Sequence, residues 1–223
     1  MSTFVLMHGS SMGAWCWDRL GAELEAGGHR AVAMDLPCDD PSAGAREYAE
    51  AALAAIQVAD DDLVVVGHSI AGLAIPLIAD ARPVRRLVFL GGAIPQPGRS
   101  LGEQLAEEPD MLSEEYKEAG ALWEDEERAI YFLFPDCSPE VAREAASRLR
   151  PQRSDTLATE AFPLHRLPDV DTSYIVCSED RTVSPRWSRR AAKERLGVEA
   201  VEIPGGHSPF LSRPGMLAHL LTS

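Results

Sequence analysis

With 223 residues, 45% of them apolar and 25% charged, the chain is long enough for one substantial core and too ordinary in composition for a disordered or fibrous protein. Asp and Glu outnumber Lys and Arg by 35 to 21, a formal charge of −14, so the whole-molecule field repels phosphate backbones and anionic lipid surfaces and argues against nucleic acid and membrane as partners. Cys16, Cys38, Cys137 and Cys177 lie far apart, without C-x-x-C spacing, and read as reduced, mostly buried side chains rather than a disulfide framework.

The opening MSTFVLMHGSS shows no basic n-region, long apolar h-region or cleavage site, and no segment approaches a membrane-spanning run, so a cytoplasmic protein is expected. The first strand is FVLM at 4 to 7, followed by the loop HGSSMG and a helix over about 14 to 27 that Gly27 and Gly28 stop. RAVAM at 30 to 34 is the second strand, a helix spans about 44 to 58, and LVVVG at 63 to 67 is the third strand. A helix over about 70 to 81 follows, with Pro83 beyond it, and then the strand RLVFLG at 86 to 91. SYIVC at 173 to 177, a helix at about 185 to 196, VEAVEI at 198 to 203 and a helix at about 212 to 221 complete the pattern. Each strand is nearly continuously apolar, as strands covered on both faces are, and the spacings suit crossover helices. The expected architecture is a single α/β domain over 1–223, with a doubly wound, mostly parallel, six-stranded sheet.

The alternation breaks between Gly92 and Thr172, where roughly eighty residues read as helices and loops, and residues 96–168 are expected to form an inserted helical cap. The acidic run between Glu103 and Glu127 reads as a solvated face. Apolar side chains interleave with and follow it, and Trp123, Phe132 and Phe134 are the aromatic candidates for lining a substrate pocket.

The chemistry centres on LVVVGHSIAG, which reads strand, tight turn, helix, with Ser69 at the apex. Such a turn lifts a serine hydroxyl above the sheet and demands small neighbours, here Gly67 and Ala71, the latter where a second Gly is usual. A Ser needs a base to activate it and a third group to orient the base, and for a Ser on such a strand-to-helix turn the chain order is Ser, acid, His. Of the histidines after Ser69, His165 falls in the insertion and His219 in the last helix, whereas His207 sits in the loop IPGGHSPF just after the final strand. Asp180, just beyond SYIVC, is the expected acid; Glu179 beside it is the alternative, and Asp169 and Asp171 lie at the strand's other end. Backbone N–H groups of Ser10 and Ile70 are expected to hold the oxyanion, with Gly9 allowing close approach. His8 and His68 lack a third ligand at metal-like spacing, and HGSSMG is neither G-x-G-x-x-G nor a P-loop, so neither metal nor nucleotide is implied.

FVLMHGSSMGAWCWDRLGAELEAGGHRAVAMDLP, together with GHSIAG, SEDRTVSP and GGHSPFLSRP, resembles the plant methylesterase and hydroxynitrile lyase branch of the α/β-hydrolase superfamily and its small bacterial relatives. The resemblance implies an α/β-hydrolase fold, no cofactor, and a triad falling on Ser69, Asp180 and His207. Lyases of that branch carry Thr after the first His and Lys after the catalytic His; this chain has Gly9 and Ser208, which is esterase-like at the first position and not lyase-like at the second. Ser208 also departs from the Met of the plant esterases, and Gly9, Ser11 and Ser208 are expected around the substrate. The expected function is carboxylesterase-like cleavage of a small, largely apolar ester through an acyl-enzyme. The alternatives are lyase or cofactor-free oxygenase chemistry on the same site, or non-hydrolytic binding of a small molecule. A small-molecule substrate is the implied partner, and a homodimer is left open.

Overall fold

The computed structural model describes residues 1–57, 62–153 and 155–223. Six strands, β1 (Thr3–Met7), β2 (Arg30–Ala33), β3 (Leu63–His68), β4 (Arg86–Leu90), β5 (Asp171–Cys177) and β6 (Val201–Ile203), form one sheet in the order β2-β1-β3-β4-β5-β6. Every pairing is parallel, with Val5 opposite Val65 and Val66 opposite Val88. The two-residue period of the strands divides their side chains between two cores. Val5, Val65, Phe89 and Val176 feed one face, whereas Leu6, Val66, Leu90 and Ile175 feed the other. This explains the unbroken apolar runs: both faces are covered, so no position in the central strands is free to be polar.

Helices α1 (Asp18–Ala26), α2 (Ala45–Ala55) and α3 (Ile75–Ala81) make the first crossovers. The first predicted helix is two pieces, a 3₁₀ turn over Ala14–Trp17 running into α1. α2 ends at Ala55, and residue 58 of its predicted span lies outside the described residues. The helix expected over 70–81 is likewise divided, a 3₁₀ segment over Ser69–Leu73 preceding α3. Pro76 explains the restart, because a residue without an N–H is tolerated only in a helix's first turn.

Among the described residues, five short α-helices lie between β4 and β5, α4 (Leu101–Glu107), α5 (Glu114–Lys117), α6 (Glu126–Leu133), α7 (Pro139–Ser147) and α8 (Asp155–Thr159), with 3₁₀ turns over Pro109–Met111 and Leu122–Glu124. Four start at side-chain caps, Ser100, Ser113, Asp125 and Ser138, each accepting a hydrogen bond from a backbone N–H of the first turn. The acidic run is mostly solvated, but Glu108 turns inward and accepts hydrogen bonds from the indole of Trp187 and the guanidinium of Arg195. That contact docks the end of α4 on α9 (Pro185–Ala191), and Arg195 also donates to the Ile94 carbonyl at 2.7 Å.

α9 continues into a π-helical turn over Ala192–Leu196. β6 is shorter than VEAVEI suggests, beginning at Val201, because Val198 and Ala200 pack against the core without pairing along β5. The last predicted helix, about 212 to 221, is α11 (Pro214–Thr222), which starts at a proline, and a short helix α10 (Pro209–Ser212) precedes it. Among the described residues no helix is long and apolar enough to cross a membrane.

Candidate active site

In a parallel sheet all strand C-termini share one edge, so Gly9 and Ser10 after β1, Ser69 after β3, Asp180 after β5 and His207 after β6 emerge on the same side of the molecule. Ser69 has φ +54°, in the left-handed region that side-chain-bearing residues adopt at a cost of about 1–3 kcal/mol. Its surroundings hold it there. The Ser69 carbonyl accepts from the Ala93 N–H at 3.0 Å, and a Cβ on Gly67 would lie 2.6 Å from Ile75 Cγ2, so the turn closes only with glycine before it. Ala71, where a second Gly is usual, is fully buried and tolerated.

His207 Nδ1 lies 2.7 Å from Asp180 Oδ2, and both side chains are 2% exposed. Asp180 Oδ1 accepts from the backbone N–H of Thr182 at 2.7 Å and of Val183 at 3.1 Å, so the carboxylate is fixed at one end by the backbone and at the other by the imidazole. The loops carrying the pair are tied together where they leave the sheet, by Ser178 N–H to the Ile203 carbonyl and Glu179 N–H to the Gly205 carbonyl, each 2.9 Å. Asp180, not Glu179, is thus the carboxylate that meets His207. His68 adds a further hold, its Nε2–H donating to the His207 carbonyl at 2.9 Å while its ring packs 4.4 Å from that of His207.

Ser69, His68 and His207 line a cavity of about 160 Å³ together with Ser10, Ser11 and Trp123. A second cavity of about 170 Å³ also touches Ser10 and Ser69, and Ile70 lines it. Ile70 stands in the first turn of the 3₁₀ segment, whose N–H groups have no acceptor within the helix. Ser10 precedes Ser11, whose φ is +63° and whose N–H donates to Gln152 Oε1 at 3.2 Å, so the loop after β1 is pinned in a tight turn. Arg150 braces the same loop, its Nε donating to the Met12 carbonyl at 2.9 Å and its Nη2 to the Leu36 carbonyl at 2.7 Å.

The remaining sequence candidates are placed differently. Phe134 is fully buried in the core beneath α6, and Phe132 packs behind the cavity, its ring edge-on to Tyr116 at 5.4 Å; neither is among the cavity-lining residues. Phe132, Leu133 and Phe134 all belong to the apolar cluster on one face of the sheet, and of the three only Leu133 reaches the cavity. Phe134→Ala is accordingly expected to cost about 3–5 kcal/mol in chemical denaturation, as a large-to-small change in a sealed core does, while leaving KM within about threefold. Gly9 lies under Ser69 rather than in the cavity wall: a Cβ there would fall 2.9 Å from Ser69 Cβ and 2.7 Å from His68 Nδ1. Ser208 is fully buried, lines neither cavity, and its Oγ has no partner among the described residues. Tyr116 and Gln152 line the first cavity without having been singled out from sequence. Tyr116 was hidden in the acidic run, and only tertiary contact reveals it.

His8 accepts from the Leu36 N–H through Nε2 at 2.9 Å, which leaves the proton on Nδ1 to be donated to the Gly9 carbonyl at 2.8 Å. Burial lowers its pKa from 6.5 to about 4. Burial, then the neighbouring His207, also pushes His68 well below the ordinary histidine value. Between the folded and unfolded pKa values the unfolded chain binds the extra proton, so these residues stabilise the fold above the window and that stability is lost as pH falls through it. Urea denaturation at pH 5 rather than pH 7.5 should show a loss of about 2 kcal/mol from His8 alone. An unchanged free energy would mean that the native state takes up the proton.

A serine on a strained strand-to-helix turn, facing a cavity beside a His–carboxylate pair at the C-terminal edge of a parallel sheet, is the arrangement by which α/β-hydrolases are recognised. Residues 4–220 match the sequence model of the Alpha/beta hydrolase family, and the chain belongs to that family. It is 30% identical to a probable esterase of Oryza sativa subsp. indica and 30% identical to Methylesterase 7 of Arabidopsis thaliana, in each case over 98% of this chain and 94% of the relative. The solved structure of polyneuridine aldehyde esterase superposes with a TM-score of 0.82 at 24% identity, covering 100% of this chain and 98% of that one, and so shares the fold.

Proposed function

We propose that the chain is a serine carboxylesterase that cleaves small, largely apolar esters through an acyl-enzyme. The observation that carries this reading is the buried 2.7 Å contact between His207 and Asp180 beside a cavity that His207 and Ser69 both line. Asp180 accepts the Nδ1–H of His207, which leaves Nε2 free to take the Ser69 proton as Oγ attacks the ester carbonyl. Backbone N–H groups of Ser10 and Ile70 stabilise the oxyanion, a contribution of about 3–4 kcal/mol per well-placed donor. His207 returns the proton to the departing alcohol oxygen, and water then attacks the acyl-enzyme with His207 again as base.

Residues 96–168 act in this reading as a helical cap within the single domain. Tyr116 and Trp123 of that segment line the cavity, which supports the assignment. Residues of one chain supply the whole triad, so the reaction does not require a homodimer. A cytoplasmic setting agrees with the lack of a disulfide at Cys16, Cys38, Cys137 and Cys177 among the described residues. Ser208, rather than a lysine, follows His207, which favours ester cleavage over a lyase reaction whose leaving anion needs a cation. The relatives' names, probable esterase and Methylesterase 7, point the same way. The test is turnover of p-nitrophenyl butyrate together with labelling by a fluorophosphonate, located by peptide mass spectrometry. Turnover with labelling at Ser69 is expected; turnover with Ser69 unlabelled would overturn the assignment.

A further inference from the structure

Ser69 stands where two cavities meet rather than at the end of one. Ser10, Ser69 and Tyr116 line both. The two differ in chemistry. Beyond the shared residues, the first has a mixed wall, in which His207, His68, Gln152 and Trp123 stand beside the apolar Met12, Leu122 and Leu133. The second is walled mainly by Ile70, Leu101, Leu105, Met111, Leu112 and Val183, with Thr182 as its one polar side chain beyond the shared residues. Their volumes are similar, about 160 and 170 Å³.

Proton bookkeeping decides which half of an ester belongs in which chamber, and this step rests on the esterase reading above. Attack forms the Ser69 Oγ–carbonyl carbon bond and moves the Ser69 proton to His207. Collapse breaks the bond from carbonyl carbon to alcohol oxygen, and that oxygen must take the proton back from His207. The alcohol therefore departs on the side His207 lines, and the acyl group extends the other way, past Ile70. We propose that the aliphatic chamber holds a short apolar acyl chain and the His207 chamber a larger aromatic or polar alcohol, with Tyr116 as the partition that fixes this polarity.

Tyr116 suits the role. It is carried by α5 and touches both chambers, its ring is held edge-on by Phe132 at 5.4 Å, and among the described residues its hydroxyl has no hydrogen-bond partner, leaving it available to a bound ester. Burial, and the nearby Asp180 charge, raise its pKa, so the hydroxyl stays protonated and can donate. Beyond the shared residues the aliphatic wall offers no charged side chain and only the Thr182 hydroxyl, which donates to the Phe132 carbonyl, to meet a charged or hydroxylated acid, whereas Gln152 and Trp123 give the alcohol side both hydrogen-bonding and stacking surface.

Two isomeric esters separate the orientations: 2-phenylethyl butyrate, with the ring on the alcohol, and butyl phenylacetate, with the ring on the acid. The first should show a kcat/KM at least about tenfold higher. Leu105→Trp, which narrows the aliphatic chamber, should shift the preferred acyl group from butyrate to acetate at a fixed 2-phenylethyl alcohol, and Tyr116→Ala should reduce the isomer preference to about threefold or less. Equal rates for the isomers, or a preference for butyl phenylacetate, would overturn the orientation even with Ser69 labelled by a fluorophosphonate. Absence of both turnover and Ser69 labelling would remove the esterase reading itself, and the orientation with it.

Discussion

Ser69→Ala is expected to lower ester turnover by roughly four to six orders of magnitude while leaving the fold intact, the range seen when a triad nucleophile is removed. The change deletes one oxygen at a position that faces a cavity, so no buried partner is left unsatisfied. Alanine must still adopt the φ of +54° that the turn imposes, so the strain remains and stability should change by less than about 1 kcal/mol. Steady-state hydrolysis of p-nitrophenyl butyrate, with circular dichroism as the control for folding, measures both. Turnover within about tenfold of the parent would show that the hydroxyl is not the nucleophile.

Asp180→Asn should cost about 10⁴-fold in kcat, and the hydrogen-bond geometry gives the reason. Oδ1 of Asp180 accepts from two backbone N–H groups, those of Thr182 and Val183, so the single carbonyl oxygen of an asparagine must occupy that position. The NH₂ group then faces His207 Nδ1, where a carboxylate oxygen stood at 2.7 Å. A donor there forces Nδ1 to accept and moves the imidazole proton to Nε2, the atom that has to accept from Ser69. The base is thus disabled by the wrong tautomer rather than by displacement. Glu179→Gln, next in sequence, should stay within about threefold of the parent, and a large loss there would reassign the orienting carboxylate.

How much of this was legible in the chain differs from residue to residue. The central strands were readable because each contains a continuous apolar run, as burial on both faces requires, whereas the edge strands β2 and β6 are shorter and partly exposed. Ser69 was readable because a strained turn demands small neighbours in sequence, and His207 because only one histidine after Ser69 follows a strand in a loop. The helix break at Pro76 was less clear, since a proline in a first turn and a proline that ends a helix look alike until the preceding residues' conformation is known.

The pocket was the least legible part. Phe134 and Tyr116 are both aromatic residues in the segment between β4 and β5, yet the first is sealed in the core and the second borders both cavities. No local pattern separates them, because the side a short helix turns toward the sheet is set by its packing partners and not by its own few residues. Sequence by itself determined the strand order along the chain, the strained serine turn and the residue types able to move a proton, since these follow from local sterics and periodicity. Tertiary structure decided which carboxylate meets the imidazole, that Arg150 and Gln152 brace the first loop, and that Ser69 divides two chambers, because each depends on contacts between separate segments of the chain that no local pattern encodes.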